Sequence, residues 1–349
     1  MKNGHEVITV TTDFSHTSKG KVNFDEDNII SMPTVSYKRN TSFIRFISHG
    51  FSSIFLAYKA IRLRSDVDIY YVTAPFCITA YIIKVITRKK IVVDIVDFWP
   101  DSLPFPKSVY FKFFLKLWGW VNRYCSKYFD YTISLSSEFL KLSRSQLKEQ
   151  IGFGAEANYD VNDQNKNSIC TENLTVLYIG NLGNLYDFST LISAIKSCKK
   201  KIKIEIIGDG DRKGWLLNEL EKNGIEFGYH GIIYNKELIK KIASGCNVGF
   251  NGYINTNASF SYKALSYFSY SLPIINSMEG DLSKVVIQKN VGFNYVGGDV
   301  ASLTSVLDNI NVDQRLIDDV KGYFQSDLDL NVVENKLIQV FEGQYEKTL

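Results

Sequence analysis

The chain has 349 residues, 45% of them hydrophobic, 22% charged and 14% aromatic, and 40 Lys and Arg against 37 Asp and Glu leave a net charge of +3. Disordered, collagen-like and coiled-coil classes are excluded by that composition, and the length suggests two domains, each large enough to own a core. Five scattered cysteines and four histidines, with no C-x-x-C or H-E-x-x-H spacing, argue against a disulfide framework, a zinc knuckle or a protein-bound catalytic metal.

No apolar run reaches the ~18–20 residues that a membrane span needs, and the first residues lack a basic-then-apolar leader pattern. A cytoplasmic chain, or one attached to a membrane only at its surface, is the expectation. Lys2-Asn3-Gly4-His5 reads as the capped end of a helix running into a strand, as though a first βα unit were missing.

Short β-rich runs alternate with helical stretches, which predicts parallel sheets in α/β layers. In the first half, strands are expected at 5–11, 68–73, 90–96 and 131–134, and helices near 42–64, 75–87 and 107–129. Residues 152–173, rich in Asn, Asp and Gln, read as a linker. Beyond it the strands restart at 174–179, 202–207, 226–230, 246–250 and 272–276. Helices are expected at 187–199, 212–223, 235–244, 260–270, 299–309 and 331–346. The predicted layout is an N-terminal domain (1–151), a linker (152–173), a C-terminal domain (174–330) and a closing helix (331–349) that packs back on the first domain. Two doubly wound domains would face each other across a cleft, with ligands at the carboxyl ends of strands.

The sharpest local signal is Tyr178-Ile179-Gly180-Asn181-Leu182-Gly183-Asn184, a strand that runs into two glycines and then a helix. Glycines there let a ligand approach the backbone, and the helix start offers free N–H groups to a phosphate. A second Gly turn, Ile207-Gly208-Asp209-Gly210, closes the next strand. Lys263 follows Ser261-Tyr262 in the first turn of a helix, where a cation is misplaced unless an anion is near. It is therefore a phosphate-binding candidate, with a solvated lysine as the alternative.

Gly-Asn-Leu-Gly, Gly-Asp-Gly, the Lys263 helix and Leu272-Pro273-Ile274-Ile275, in that order, resemble the nucleotide-sugar-binding domain of glycosyltransferase family 4. Gly4-His5-Glu6-Val7, followed by a Thr-Thr turn, resembles the family's second strand, and Asp97-Phe98-Trp99-Pro100-Asp101-Ser102-Leu103 resembles a segment found in members that build bacterial surface polysaccharides. The resemblance implies the GT-B fold and a retaining glycosyltransferase with a nucleotide-diphosphate sugar donor, a lipid-linked or saccharide acceptor and no metal cofactor. It places Gly180, Asn181, Gly183, Asn184, Gly208, Asp209 and Ser266 at the donor, with Lys263 neutralising the leaving diphosphate. Asp209 is equally readable as a turn residue. Two glutamates usual in the family are replaced by Ala258 and Ser266, and a basic residue after the first Gly turn is Asn184. A catalytically inactive partner subunit is therefore one alternative, and a nucleotide-sugar epimerase of the same two-domain shape is another.

On the acceptor side, Asp97 is a candidate general base, Trp99 either a sugar-stacking ring or a buried turn anchor, and His16 and Asp101 are loop candidates. His5, His49 and His230 read as structural, and Ser136 reads as the cap of a helix that includes Glu138. Residues 1–165 hold 21 Lys and Arg against 16 Asp and Glu, and residues 166–349 hold 19 against 21. That distribution suits an anionic surface for the first domain and is too diffuse for nucleic acid. On the 107–129 helix, Lys112, Lys116, Arg123 and Lys127 fall within about a 60° stripe, with Trp120 at its border. An apolar arc of Phe113, Phe114, Leu117, Val121, Tyr124 and Tyr128 faces away. Either the basic stripe meets anionic lipid, helped by Lys38, Arg39, Arg45, Lys59, Arg62 and Arg64, or this is a core helix with a solvated basic face.

Overall fold

The computed structural model describes residues 4–15, 20–24, 26–34, 43–75, 77–100, 109–159, 173–254 and 259–343. The chain divides into two compact units, 1–150 with 340–349, and 151–339.

The first unit runs β1 (Thr9–Thr12), β2 (Ile29–Met32), α1 (Phe43–Arg62), β3 (Ile69–Ala74), α2 (Cys77–Thr87), β4 (Lys90–Ile95), α3 (Val109–Cys125), β5 (Tyr131–Ser134), α4 (Ser137–Leu142) and β6 (Leu147–Gln150). All strand pairs are parallel, but they form two sheets rather than one, β1-β2 and β3-β4-β5-β6. Among the described residues, β3 therefore has a strand neighbour on one side only. The core of this unit gathers Ala57, Tyr70, Ala80, Ile83, Ile91, Val93, Ile95 and Phe129. Gly4 has φ +76°, suited to glycine, while the helix end read at residues 2–3 lies outside the described residues. Ser136 does occupy the N-cap position of α4, and Glu138 pairs with Lys141 at 2.6 Å.

The second unit runs β7 (Asn173–Ile179), α5 (Phe188–Ser197), β8 (Lys201–Ile207), α6 (Lys213–Lys222), β9 (Glu226–Tyr229), α7 (Lys236–Ser244), β10 (Val248–Asn251), α8 (Tyr262–Ser269), β11 (Ile274–Asn276), α9 (Asp281–Gln288), β12 (Gly292–Asn294), α10 (Val300–Asn309) and α11 (Gln314–Tyr323). Its six parallel strands lie in the order β12-β11-β10-β7-β8-β9. Both faces are covered. Leu174, Val176 and Tyr178 alternate into one core with the β8 isoleucines, and Leu177 points into another with Ala264, Phe268 and Ile274. Burial on both sides is why these strands read as continuous apolar runs. The boundary between units falls within α12 (Leu330–Glu342), so Phe341 belongs to the first unit, where its ring meets that of Tyr71 at 5.8 Å.

The segment expected to open a linker is pinned to the second unit instead. Ala155 exchanges backbone bonds of 2.9 Å with Leu328 and Leu330, Phe153 stacks on Tyr262 at 3.9 Å, and Tyr159 is buried. Its polar letters hid three apolar anchors. Residues 160–172 lie outside the described residues.

Candidate functional site

In the second unit, chain connectivity reverses direction across the sheet between β7 and β10. At such a switch point the loops leaving two adjacent strands diverge, and the carboxyl end of the sheet opens a crevice. Only two residue pairs join β7 to β10, Val176 with Val248 and Leu177 with Gly249. Beyond them Tyr267 of α8 takes over the pairing. Its phenol accepts from Ile179 N at 3.0 Å and donates to Phe250 O at 3.1 Å. A Cβ at Gly249 would stand 2.3 Å from Tyr267 Cγ, so glycine is required where the ring enters.

One helical turn before Tyr267 on the same face comes Lys263. The helix is capped by Ser261, whose hydroxyl accepts from Ala264 N at 3.1 Å. That hydroxyl in turn donates to Asn251 Oδ1 at 2.7 Å. Asn251 begins a ladder the sequence reading missed. Asn251, Asn276 and Asn294 stand in register at the ends of β10, β11 and β12. Asn251 Nδ2 donates to Asn276 Oδ1, and Asn276 Nδ2 to Asn294 Oδ1, each at 2.8 Å. A buried amide needs its bonds filled, so the ladder fixes the strand ends and, through Ser261, the start of α8.

Lys263 is not a solvated lysine, being only 9% exposed. Its Nζ sits 3.2 Å from the ring centroid of Tyr186, 5.1 Å from Tyr253 and 5.2 Å from Tyr178. Among the described residues no carboxylate and no hydrogen-bond acceptor meets it. Burial alone pulls its ammonium down to about 7. Aromatic faces attract a cation but do not neutralise it. The side chain lies across Gly180, where a Cβ would come 2.7 Å from Lys263 Cε.

The two glycine turns interlock beneath it. Gly180 (φ +135°), Gly208 (φ +143°) and Gly210 (φ +157°) all adopt backbone that other residues rarely reach. A Cβ on Gly208 would lie 1.9 Å from Gly180 O, and Leu182 N donates to Asp209 O at 2.8 Å. Asn181 is exposed at the rim, and a Cβ on Gly183 would meet its Nδ2 at 3.1 Å. Asn184, also exposed, accepts from Arg212 at 3.3 Å. Asp209 behaves as the turn residue: its Oδ1 accepts from Gly210 N at 2.8 Å, and Lys213 stands 3.7 Å from Oδ2. The Ser266 hydroxyl donates to Tyr262 O at 3.0 Å, within its own helix. Gly180, Asn181, Gly183, Gly208 and Lys263 are thus brought together, while Ser266 faces back onto its helix and Ala258 lies outside the described residues. Beside the Gly208 turn, Glu205 accepts from His230 and pairs with Lys203, at 2.6 and 2.7 Å. This agrees with a structural reading of His230.

In the first unit, Asp97 is exposed two residues past β4. Trp99 is the buried anchor of its turn, edge-on to His49 at 5.3 Å and Trp118 at 6.1 Å, with its carbonyl accepting from Asn122. It offers no free face for a sugar. His16 and Asp101 lie outside the described residues, as does the Lys112 side chain. Asp94, which the sequence did not single out, has its carboxyl raised by burial, against which a 2.7 Å bond from Tyr71 works.

No protein-family model matches the sequence, and no curated protein matches it. Solved structures do. HepE from Anabaena in complex with UDP superposes with a TM-score of 0.68 at 12% identity, over 97% of this chain and 100% of that one. The fold is GT-B. Sucrose-phosphate synthase from Thermosynechococcus elongatus gives 0.66 at 14% identity, over 96% and 88% of the two chains. The lipopolysaccharide outer core galactosyltransferase WaaB, in its apo form, gives 0.62 at 15% identity, over 97% and 100%. The GT-B assignment accounts for the strand order of the second unit and puts its switch point, with Lys263, at the carboxyl end of the sheet.

Proposed function

We propose that this chain is a glycosyltransferase that moves a sugar from a nucleotide-diphosphate donor to a lipid-linked or saccharide acceptor, with retention, in bacterial surface-polysaccharide synthesis. One observation carries the reading: Lys263 is buried at the switch point without a neutralising anion among the described residues. A diphosphate laid over Gly180 would supply that anion. The glycosyl bond to the β-phosphate oxygen breaks as the acceptor hydroxyl oxygen bonds to the anomeric carbon. Negative charge then grows on the departing diphosphate, where a preorganised ammonium lowers the barrier most. Gly180 and Gly208 would keep side chains away from the phosphates, and the exposed Asn181 and Asn184 would bond donor oxygens. Asp97 is the carboxylate proposed to orient or deprotonate the acceptor hydroxyl, with no metal in the reaction. UDP is the first donor nucleotide to test, because similar folds have been solved with UDP and with UDP-glucose.

The deciding experiment is thermal stabilisation by UDP, GDP, dTDP and CDP, with and without a chelator, for the wild type and Lys263→Ala. One nucleotide should stabilise the wild type alone, equally with chelator, and the matching sugar nucleotide should then give a transfer product by mass spectrometry. Ser266 favours a second reading, since its hydroxyl is spent on its own helix and no glutamate stands there. Nucleotide binding without transfer to any acceptor would favour an inactive partner subunit, and no binding at all would reject the donor site.

A further inference from the structure

Among the described residues, aromatic rings from three separate stretches of the second unit close around Lys263. Tyr178 comes from β7, Tyr186 from the loop before α5, and Tyr253 from the loop after β10. The rings brace one another. Tyr178 stands edge-on to Tyr186 at 5.9 Å, and Tyr186 to Tyr253 at 5.1 Å. Tyr186 and Tyr253 also face each other in an antiparallel bridge. Backbone bonds run from Ile254 N to Leu185 O and from Asp187 N to Gly252 O, at 2.9 and 3.2 Å. The Tyr178 phenol donates to Asn181 O, which holds that ring in place.

Tyr186 is the ring nearest the ammonium, with Lys263 Nζ 3.2 Å from its centroid. The other two, at 5.1 and 5.2 Å, are still within reach of a cation–ring attraction. Burial raises the phenols of Tyr178, Tyr186 and Tyr253, so each ring stays neutral beside the lysine. The rings therefore hold the ammonium by their faces alone, a weaker grip than an anion gives.

This seat is also in the way. A Cβ at Gly180 would lie 2.7 Å from Lys263 Cε and 3.3 Å from Nζ, so the lysine fills the space that the glycine clears. A phosphate laid on Gly180 meets those same methylenes unless the side chain first swings off the rings. The flexible four-carbon stem of lysine allows that swing by rotamer changes alone.

We infer that Tyr186, backed by Tyr178 and Tyr253, is a positioning residue that seats the Lys263 ammonium over the empty ground above Gly180 and yields it to an arriving diphosphate. The lysine is thus the site's own competing ligand. The inference rests on the donor site proposed above for its purpose. The seat and its release are measured with pyrophosphate, which carries neither base nor sugar. A protein whose binding-competent state is only fractionally populated has its affinity reduced by that fraction, so loosening the seat should tighten binding.

Pyrophosphate is titrated by calorimetry, with chelator present, into the wild type, Tyr186→Leu and Tyr186→Phe. Tyr186→Leu should bind about fivefold more tightly than the wild type, and Tyr186→Phe, which keeps the ring, should match the wild type. A ring needed only for packing would leave binding weaker or unchanged in Tyr186→Leu, and either result overturns the inference. The wild type gives a second reading that no substitution can spoil. In protein made with isotope-labelled lysine, the Lys263 ε-methylene resonance is identified by its loss in Lys263→Ala. It should lie upfield of the other lysines, because the rings shield it, and saturating pyrophosphate should return it to the common position. A resonance that is unshifted in the free protein, or that pyrophosphate leaves in place, also overturns the inference. If UDP, GDP, dTDP and CDP all fail to stabilise the wild type while pyrophosphate releases the lysine, the nucleotide donor falls and the seat stands.

Discussion

Lys263 carries a linkage that can be measured. Burial holds its ammonium near 7 in the free protein, against 10.5 for an ordinary lysine. Between those values the unfolded chain binds more protons than the folded one, so stability rises with pH across that window. The penalty of burying the charge is fully present below pH 7 and eases above it. A diphosphate beside Lys263 would push its pKa back up, so nucleotide binding above neutrality should draw in about one proton per site, and below it none. Calorimetry in two buffers of different ionisation enthalpy reads that number, and zero uptake above neutrality would mean that no anion reaches Lys263. The glycines beneath it differ in what they tolerate. Gly180→Ala meets the end of a flexible side chain, whereas Gly208→Ala meets a backbone carbonyl at 1.9 Å. Gly208→Ala should cost about 3 kcal/mol or more and Gly180→Ala clearly less, as read from urea midpoints.

At the scale of elements, the Asn251–Asn276–Asn294 ladder makes the position of α8 depend on amides two strands away. Asn276→Ala leaves Asn251 Nδ2 and Met278 N without their acceptor. We expect a loss of about 2–4 kcal/mol, visible as a lower denaturation midpoint, with weaker nucleotide binding because the Ser261 cap is displaced. The strands of the second unit were legible because both faces are buried, so β7, β8 and β10 stand out as apolar runs. Edge elements were not: β2, β6 and β12 each border a sheet and none is buried, so they carry no continuous apolar run. The two glycine turns and Lys263 were readable as residues of interest from glycine spacing and helix position, and the structure brings them together. Tyr186 and Tyr253 were not, since nothing local marks a tyrosine as the wall around a distant lysine. On α3, Phe113, Leu117, Tyr124 and Tyr128 of the expected apolar arc are exposed, whereas Val121 packs on the core and Trp118 and Cys125 are buried, because a helical period groups residues without saying which group meets the core.

For the molecule as a whole, two units with separate cores imply two separable transitions. A ligand stabilises only what it binds, by roughly 2.7 kcal/mol at about 100 times its Kd. In differential scanning calorimetry, the nucleotide should therefore raise the transition of the unit containing residues 151–339 more than that of the unit containing 1–150. Equal movement of both would show that they unfold as one. The chemistry-bearing residues divide along the same line: the second unit holds the interlocked glycine turns and Lys263, and the first holds α1, α2 and α3, which contain no Asp or Glu.

The first unit's divided sheet has a consequence for how the protein is handled. β3 reads Ile-Tyr-Tyr-Val-Thr-Ala, a sequence of high strand propensity, and presents a row of amides and carbonyls with no neighbour among the described residues. Such a border is a template on which any extended peptide can grow, another molecule's β3 included. Concentrated solutions should thus scatter light increasingly with time, and Thr73→Lys, at an exposed position on that border, should slow the growth without changing the fold.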